Sequence, residues 1–296
     1  MEQRPAVGGV PVTNPERVLW PEEGWTKLDL VRFYDSVFPA LRPWMKDRLI
    51  SLKRCPHGLR GKCFHQKEKP AAMPPGTPTK LVRHRNGERH YVVGGRRETQ
   101  LALANLGCIA VHLWSARKDE PRKPDWVSFD LDPDSGKLAD AVAGALRLKQ
   151  ALDALRLTSF VKTSGGKGLH VFVPIRVGPD CDEVKAFAES LGAKLAAAYP
   201  DLFTVESSIA RRGGRVYLDP YRNAWAQTVA SPFCARRKPH APVSTPLSWK
   251  EVRPDLLPAR FTIGNFAARL RKPDPWEGFW KARQDLAPAM AALARV

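Results

Sequence analysis

Between residues 125 and 219 the apolar side chains switch repeatedly between two periods, and that alternation constrains the fold more than any other feature of the chain. Asp125-Trp126-Val127-Ser128-Phe129-Asp130-Leu131-Asp132 alternates as a strand does, and Leu138 to Arg156 then takes the spacing of a helix rich in Ala and Leu. Thr158 to Lys162 and Leu169 to Ile175 read as two strands joined by the turn Ser164-Gly165-Gly166-Lys167-Gly168. A second helix is expected from about Asp182 to Ala198. Gly214 to Asp219 is a strand that Pro220 stops, because proline cannot donate to a ladder. The order β-α-β-β-α-β is the split βαβ pattern of ferredoxin-like sheets, with the first strand central and the third and fourth beside it. The predicted class is α+β, and Asp130 with Asp132, His170 and Asp219 fall on three adjacent strands.

The earlier part of the chain is organised differently. Thr26 to Tyr34 predicts an amphipathic helix, with Thr26 as its cap and Asp29 in the capping-box position. Proline clusters at 74–78 and 119–124 mark loops, and the second leads into the alternating region, which puts a boundary near 120. An N-terminal αβ module (1–120) and a catalytic core with a C-terminal segment (121–296) are expected to form one globular unit. No run of about 18 apolar residues occurs and the N-terminus has no leader-like apolar stretch, so a soluble, intracellular protein is expected.

Charge narrows the function. The chain carries 48 Lys and Arg against 30 Asp and Glu, a net charge of +18. Residues 42–100 hold 15 basic and 4 acidic side chains and 204–240 hold 7 and 2, while 101–203 hold 13 of each. Two basic blocks flanking a neutral middle point to a polyanion, since clustered cations neutralise phosphates and release counterions. Lys53, Arg54, Phe64 and Lys67 mix cations with an aromatic ring, as in surfaces that track phosphates and stack bases.

Inside the neutral middle, Asp130 and Asp132 lie two apart, so a strand points both carboxylates to one face. Their repulsion calls for a cation, and with Asp219 on a neighbouring strand they could hold two hard divalent ions for phosphoryl or nucleotidyl transfer. The plainer reading of Asp130-Leu131-Asp132-Pro133-Asp134 is an acidic strand exit. Ser164-Gly165-Gly166-Lys167-Gly168-Leu169-His170 lacks the Walker spacing but offers backbone N–H groups, a hydroxyl, an ammonium and an imidazole to a phosphate. Its plainer reading is a glycine-rich hairpin, with His170 a satisfied core histidine. Arg222 and Arg236-Arg237-Lys238 can reach a triphosphate or a template strand, with Asn223 and Thr228 as neutral donors. The five cysteines are scattered and odd in number, which gives no disulfide framework and suits a reducing compartment. Cys55-Pro56-His57 and Cys63-Phe64-His65 have the wrong spacing for a common zinc half-site, so buried cysteine beside polar loop histidines is the expectation there.

Taken in order, PDWVSFDLDPDSG, VKTSGGKGLHVFVPI, VYLDPYRNAWAQTVASPF and PHAPVSTPLSWKEV resemble the polymerase domain of bacterial ligase D, a branch of the archaeo-eukaryotic primase superfamily. The resemblance begins at TNPERVLWPEEGWTK and covers most of the chain. It implies a primase-like α+β fold and a DNA-dependent polymerase that fills gaps and extends ends in non-homologous end joining, with ribonucleotides accepted or preferred. By that resemblance Asp130, Asp132 and Asp219 bind two Mg²⁺ or Mn²⁺ ions. Ser164, Lys167, His170, Arg222, Arg236 and Lys238 contact an NTP or dNTP, and His112 of His112-Leu113-Trp114 lies close by. Lys27, with Arg17 where lysine is usual, matches the family's contact to a downstream 5′-phosphate on gapped or broken duplex DNA. The resemblance further implies a monomer at the bacterial nucleoid, in the cytoplasm, with Ku and a separate DNA ligase as partners. Because no ligase or nuclease motif is present, a stand-alone module is expected. The rivals are a primase that starts chains unprimed, a metal nuclease using the same carboxylates, and a non-catalytic DNA-end binding module.

Overall fold

Thr26 caps the first long helix as its sequence predicts. In the computed structural model, which describes residues 4–257 and 260–295, the Asp29 amide donates to the Thr26 hydroxyl at 3.3 Å. The Thr26 amide in turn donates to the Asp29 carboxylate at 2.9 Å. Two otherwise orphaned helix donors are thereby satisfied. Two short hairpins precede the helix: β1 (Ala6–Val7) with β2 (Val10–Pro11), and β3 (Val18–Trp20) with β4 (Trp25–Thr26). Helix α1 (Lys27–Met45) buries Leu30, Val31, Tyr34, Val37 and Leu41 along one stripe, and each such side chain contributes about 1.5–3 kcal/mol by leaving water.

The strands β5 (Arg48–Arg54), β6 (Phe64–Gln66), β7 (Thr79–His84), β8 (Gly87–Val93) and β9 (Cys108–Arg117) follow, with α2 (Arg97–Asn105) inserted before β9. They form a sheet ordered β15-β9-β5-β8-β7 with β6 on β5, where β15 is Val229–Ala230. Two compact units divide the chain. The first takes the residues up to Trp114, Ala230–Ser244 and the stretch ending at Lys272, and includes α5 (Phe266–Leu270). The second takes Ser115–Val229, the stretch from Thr245, and the stretch from Pro273.

In the second unit β10 (Trp126–Pro133), α3 (Leu138–Ala154), β11 (Phe160–Thr163), β12 (Leu169–Pro174), α4 (Cys181–Ala198) and β14 (Val216–Asp219) follow the predicted order. Strand β10 lies between β14 and β12, and β11 lies beyond β12. Two strands of two residues each lengthen the sheet, β13 (Phe203–Thr204) beside β14 and β16 (Pro246–Leu247) beside β11. Neither is long enough to show alternation in sequence. Along β10 and β12 one face is uniformly apolar, with Val127, Phe129, Leu131, Leu169, Val171 and Val173 all buried. The other face changes character along its length. At one end Phe160 and Phe172 pack on Phe279 and Trp276 with ring centroids 4.9 and 5.4 Å apart, and the opposite end is charged. Helix α6 (Ala287–Ala294) ends the described chain.

The cysteines depart from expectation. Cys55 and Cys63 form a disulfide, so neither sulfur is a zinc ligand here, and Cys108, Cys181 and Cys234 are free and buried. The reason lies in the hairpin. Arg54 pairs with Phe64 as the last register of β5 and β6, which sets the next residues outward, Cys55 and Cys63, opposite each other. Among the described residues no helix is long and apolar enough to cross a membrane.

Candidate active site

Sheet register assembles the charged end of the second unit. Lys162 pairs with His170, His170 with Asp130, and Asp130 with Asp219, so four side chains stand in one row across β11, β12, β10 and β14. Asp132, two residues beyond Asp130, shares that face and pairs with Tyr217. The Arg222 Nε lies 3.3 Å from Asp130 Oδ2 and 3.1 Å from Asp219 Oδ2, and Arg212 Nη1 lies 3.3 Å from Asp132 Oδ2. Arg212 also sits over the Tyr217 ring, 4.1 Å from its centroid.

The two facing carboxylates are driven apart in acidity. Burial would raise Asp130, but the His170 ring at 3.3 Å, then Arg222 and Lys162, outweigh it and hold this carboxyl well below its usual range. At Asp219 burial prevails over Arg222, and the charge on Asp130 adds to it, so this carboxyl is raised. A hard cation placed between them would relieve that opposition. The donor chemistry suits such an ion, since all three are carboxylates on one sheet face with side-chain exposures of 21% for Asp130, 14% for Asp219 and 44% for Asp132. In this structure the cation between Asp130 and Asp219 is the Arg222 guanidinium.

The glycine-rich turn joins β11 to β12 just before His170. The amides of Gly166 and Gly168 each donate to the Ser164 hydroxyl at 3.2 Å, and the Ser164 amide donates to the Gly168 carbonyl at 3.0 Å. Gly165 takes φ 75°, where a side chain is strained, and a Cβ on Gly168 would meet the Leu131 carbonyl oxygen at 2.5 Å. Lys167 is exposed at the tip and His170 is buried. Asn223, read from the sequence as a neutral ligand donor, is instead fully buried. Its amide takes the Ser128 amide at 2.8 Å and donates to the Ser128 carbonyl at 2.8 Å, replacing a ladder partner where Pro220 has ended β14.

The first unit holds the remaining candidates. The β3–β4 hairpin brings Arg17 and Lys27 together, and the Lys27 amide donates to the Arg17 carbonyl at 2.8 Å. Lys27 is nearly buried with its ammonium 3.0 Å from the Thr13 hydroxyl. Burial, then Arg17, lowers it to about 8 in spite of Glu16. Arg17 spends one N–H on the Pro56 carbonyl at 3.0 Å. Lys53 and Arg54 end β5, and Phe64 lies on β6 with the Arg54 guanidinium 5.5 Å from its ring centroid. The Arg54 head is committed within the fold, donating to the Leu106 carbonyl at 2.9 and 3.1 Å and to Gln66 at 2.8 Å. Phe64 and Lys67 are exposed. His112 meets His65 edge to face at 5.6 Å, Arg236 is half-buried, and Lys238 is exposed with its carbonyl accepting from Trp20 at 3.0 Å.

Residues 26–276 match the family model described as LigD, primase-polymerase domain. The chain belongs to the LigD primase-polymerase domain family. It is 31% identical over 278 residues to the bifunctional non-homologous end joining protein LigD of Bacillus subtilis, covering 92% of this chain and 44% of that one. With the multifunctional LigD of Pseudomonas aeruginosa it shares 30% over 294 residues, 97% of this chain and 35% of the other, so it spans less than half the length of these relatives. The solved polymerase domain of Mycobacterium tuberculosis ligase D, in complex with DNA, superposes with a TM-score of 0.85 at 26% identity over 95% of this chain and 99% of that one. In this LigD primase-polymerase domain, residue reading alone missed Lys162 and Arg212. Lys162 ends a predicted strand whose register against His170 could have exposed it, whereas Arg212 depends on a loop path that carries no sequence period.

Proposed function

We propose that the chain is a metal-dependent nucleotidyltransferase that adds nucleotides to a DNA primer end, with an archaeo-eukaryotic primase-like, ferredoxin-like core. The observation that carries this reading is the register row that sets Asp130, Asp219 and His170 side by side next to the Ser164–Gly168 turn. Asp130, Asp132 and Asp219 would hold two Mg²⁺ or Mn²⁺ ions. Such ions activate a primer hydroxyl and neutralise the charge that develops on the phosphates. Lys167, His170 and Arg222 offer the triphosphate an ammonium, an imidazole N–H and a guanidinium, and Ser164 holds the turn in shape. Arg236, Lys238 and His112 are further nucleotide contacts on this reading. Arg17 and Lys27 take a 5′-phosphate, and Lys53, Phe64 and Lys67 track and stack the nucleic acid. Arg54 serves that surface by bracing Phe64 and β6. The names of the relatives support a role in non-homologous end joining; on this reading the substrate is gapped or broken duplex DNA, and Ku and a separate ligase are the partners at the nucleoid.

Extension of a gapped, 5′-phosphorylated duplex by wild type and Asp130→Ala, with NTPs or dNTPs and Mg²⁺ or Mn²⁺, tests the reading. Wild type is expected to add nucleotides and Asp130→Ala to add none. A wild type that adds none under any combination ends the polymerase reading, and shortening of the labelled strand would replace it with a nuclease. A primer-free arm separates extension from unprimed synthesis.

A further inference from the structure

Lys162 stands in the carboxylate row with no part in the chemistry described so far. It is 0% exposed, and an ammonium taken out of water costs several kcal/mol unless strong acceptors or opposite charges meet it. Its register places it across from His170, which is across from Asp130. The Lys162 Nζ lies 2.8 Å from His170 Nδ1. An ammonium has three protons and no lone pair, so in that contact Nδ1 accepts. The ring proton of a neutral imidazole then belongs to Nε2, the nitrogen 3.3 Å from Asp130 Oδ1. The ammonium is also held from below. Nζ lies 5.7 Å from the centroid of Phe172, whose ring is itself fixed against Trp276. The aromatic end of the sheet face thus sets where the ammonium sits, and the ammonium sets which nitrogen of His170 carries hydrogen.

We propose that Lys162 is a positioning residue that locks His170 in its Nε2–H tautomer, so that the ring turns an N–H donor, and not a lone pair, toward Asp130. The consequence for turnover rests on the nucleotidyltransferase reading, whereas the tautomer does not. A donor at Nε2 suits an anion such as a phosphate oxygen and steadies Asp130. The opposite tautomer would aim a lone pair at the Asp130 carboxylate and repel it. Lys162 therefore gives a buried imidazole one chemical role where the bare ring would have two.

The decisive measurement is ¹⁵N-histidine NMR of the full, metal-free chain at pH 8, with His170 assigned by the signals that His170→Asn removes. Wild type is expected to show a protonated Nε2 and an unprotonated Nδ1. Lys162→Met keeps the length and loses the charge; it is expected to populate the Nδ1–H form and, in primer extension, to lower kcat about 10- to 100-fold, as loss of an outer partner of a site histidine does. Its Kd for gapped DNA should stay within about twofold of wild type, because that surface is untouched. A wild-type spectrum with hydrogen on Nδ1, or on both nitrogens, overturns the proposal, and it does so even if Lys162→Met fails to fold. A folded Lys162→Met that keeps the wild-type tautomer overturns it as well. Should wild type show the Nε2–H form yet extend no primer, the result supports the positioning role and contradicts the polymerase reading.

Discussion

The carboxylate row of the second unit and the basic β5–β6 hairpin of the first use charge in opposite ways. In the row every charge is placed by strand register and met by a named partner within hydrogen-bond distance: Arg222 on Asp130 and Asp219, Arg212 on Asp132, Lys162 on His170. On the hairpin Lys67 is exposed, Lys53 is half-buried with its pKa lowered by burial and then by Arg237, and Arg54 alone is tied into the fold. A preorganised site concentrates its energy in a few side chains, while a phosphate-tracking surface spreads it over many. Substitutions should therefore fail steeply in the first region and gently in the second.

The largest effect is expected at the row. Asp219→Asn keeps the shape and removes a hard donor, and primer extension should fall by about a thousandfold or more, equivalent to several kcal/mol of lost charge stabilisation. A loss of only a few-fold would mean that the row is not more concentrated than the hairpin. Next comes Asn223→Ala, which leaves the buried Ser128 amide and carbonyl without their partner and should cost about 1–3 kcal/mol of stability in a denaturant titration.

On the hairpin, Phe64→Ala should weaken single-strand binding by about 1–3 kcal/mol, the worth of one stacked base. Lys67→Ala should act more weakly still, reducing the slope of log K against log salt by about 0.9 while leaving sequence preference alone. An unchanged slope would remove this residue from the interface.

Lys27 sharpens the comparison because it combines the two characters, a buried cation on a binding surface. Its folded value of about 8 lies below the unfolded 10.5. Between those values the unfolded chain binds more protons, so the charged lysine costs stability below pH 8 and the cost is relieved as pH rises toward 10.5. Lys27→Met should then raise Tm at pH 7 by about 2–4 °C for each kcal/mol relieved, and abolish the preference for a 5′-phosphate. In wild type that preference should fade as pH rises through about 8, measured by fluorescence anisotropy on duplexes with and without the phosphate.

The same contrast explains what could be read from the chain alone. The core was legible because strand and helix periods survive in Trp126–Pro133 and Leu138–Ala154, and a D-x-D pair followed by a glycine turn and a stopped strand marks its own chemistry. Relations between segments were not legible. The Cys55–Cys63 pair depends on the register that ends at Arg54 and Phe64, Asn223 substitutes for a strand that proline cut short, and Lys162 gains its role only opposite His170. Each of these side chains is ordinary in its own stretch of sequence.

Manganese binding followed by electron paramagnetic resonance tests the central claim most directly, since it asks whether the register row holds metal without requiring turnover. With a non-hydrolysable nucleoside triphosphate present, wild type is predicted to bind two Mn²⁺ per chain, and Asp130→Asn and Asp219→Asn each to lose tight binding. Equal stoichiometry and affinity in all three proteins would contradict it.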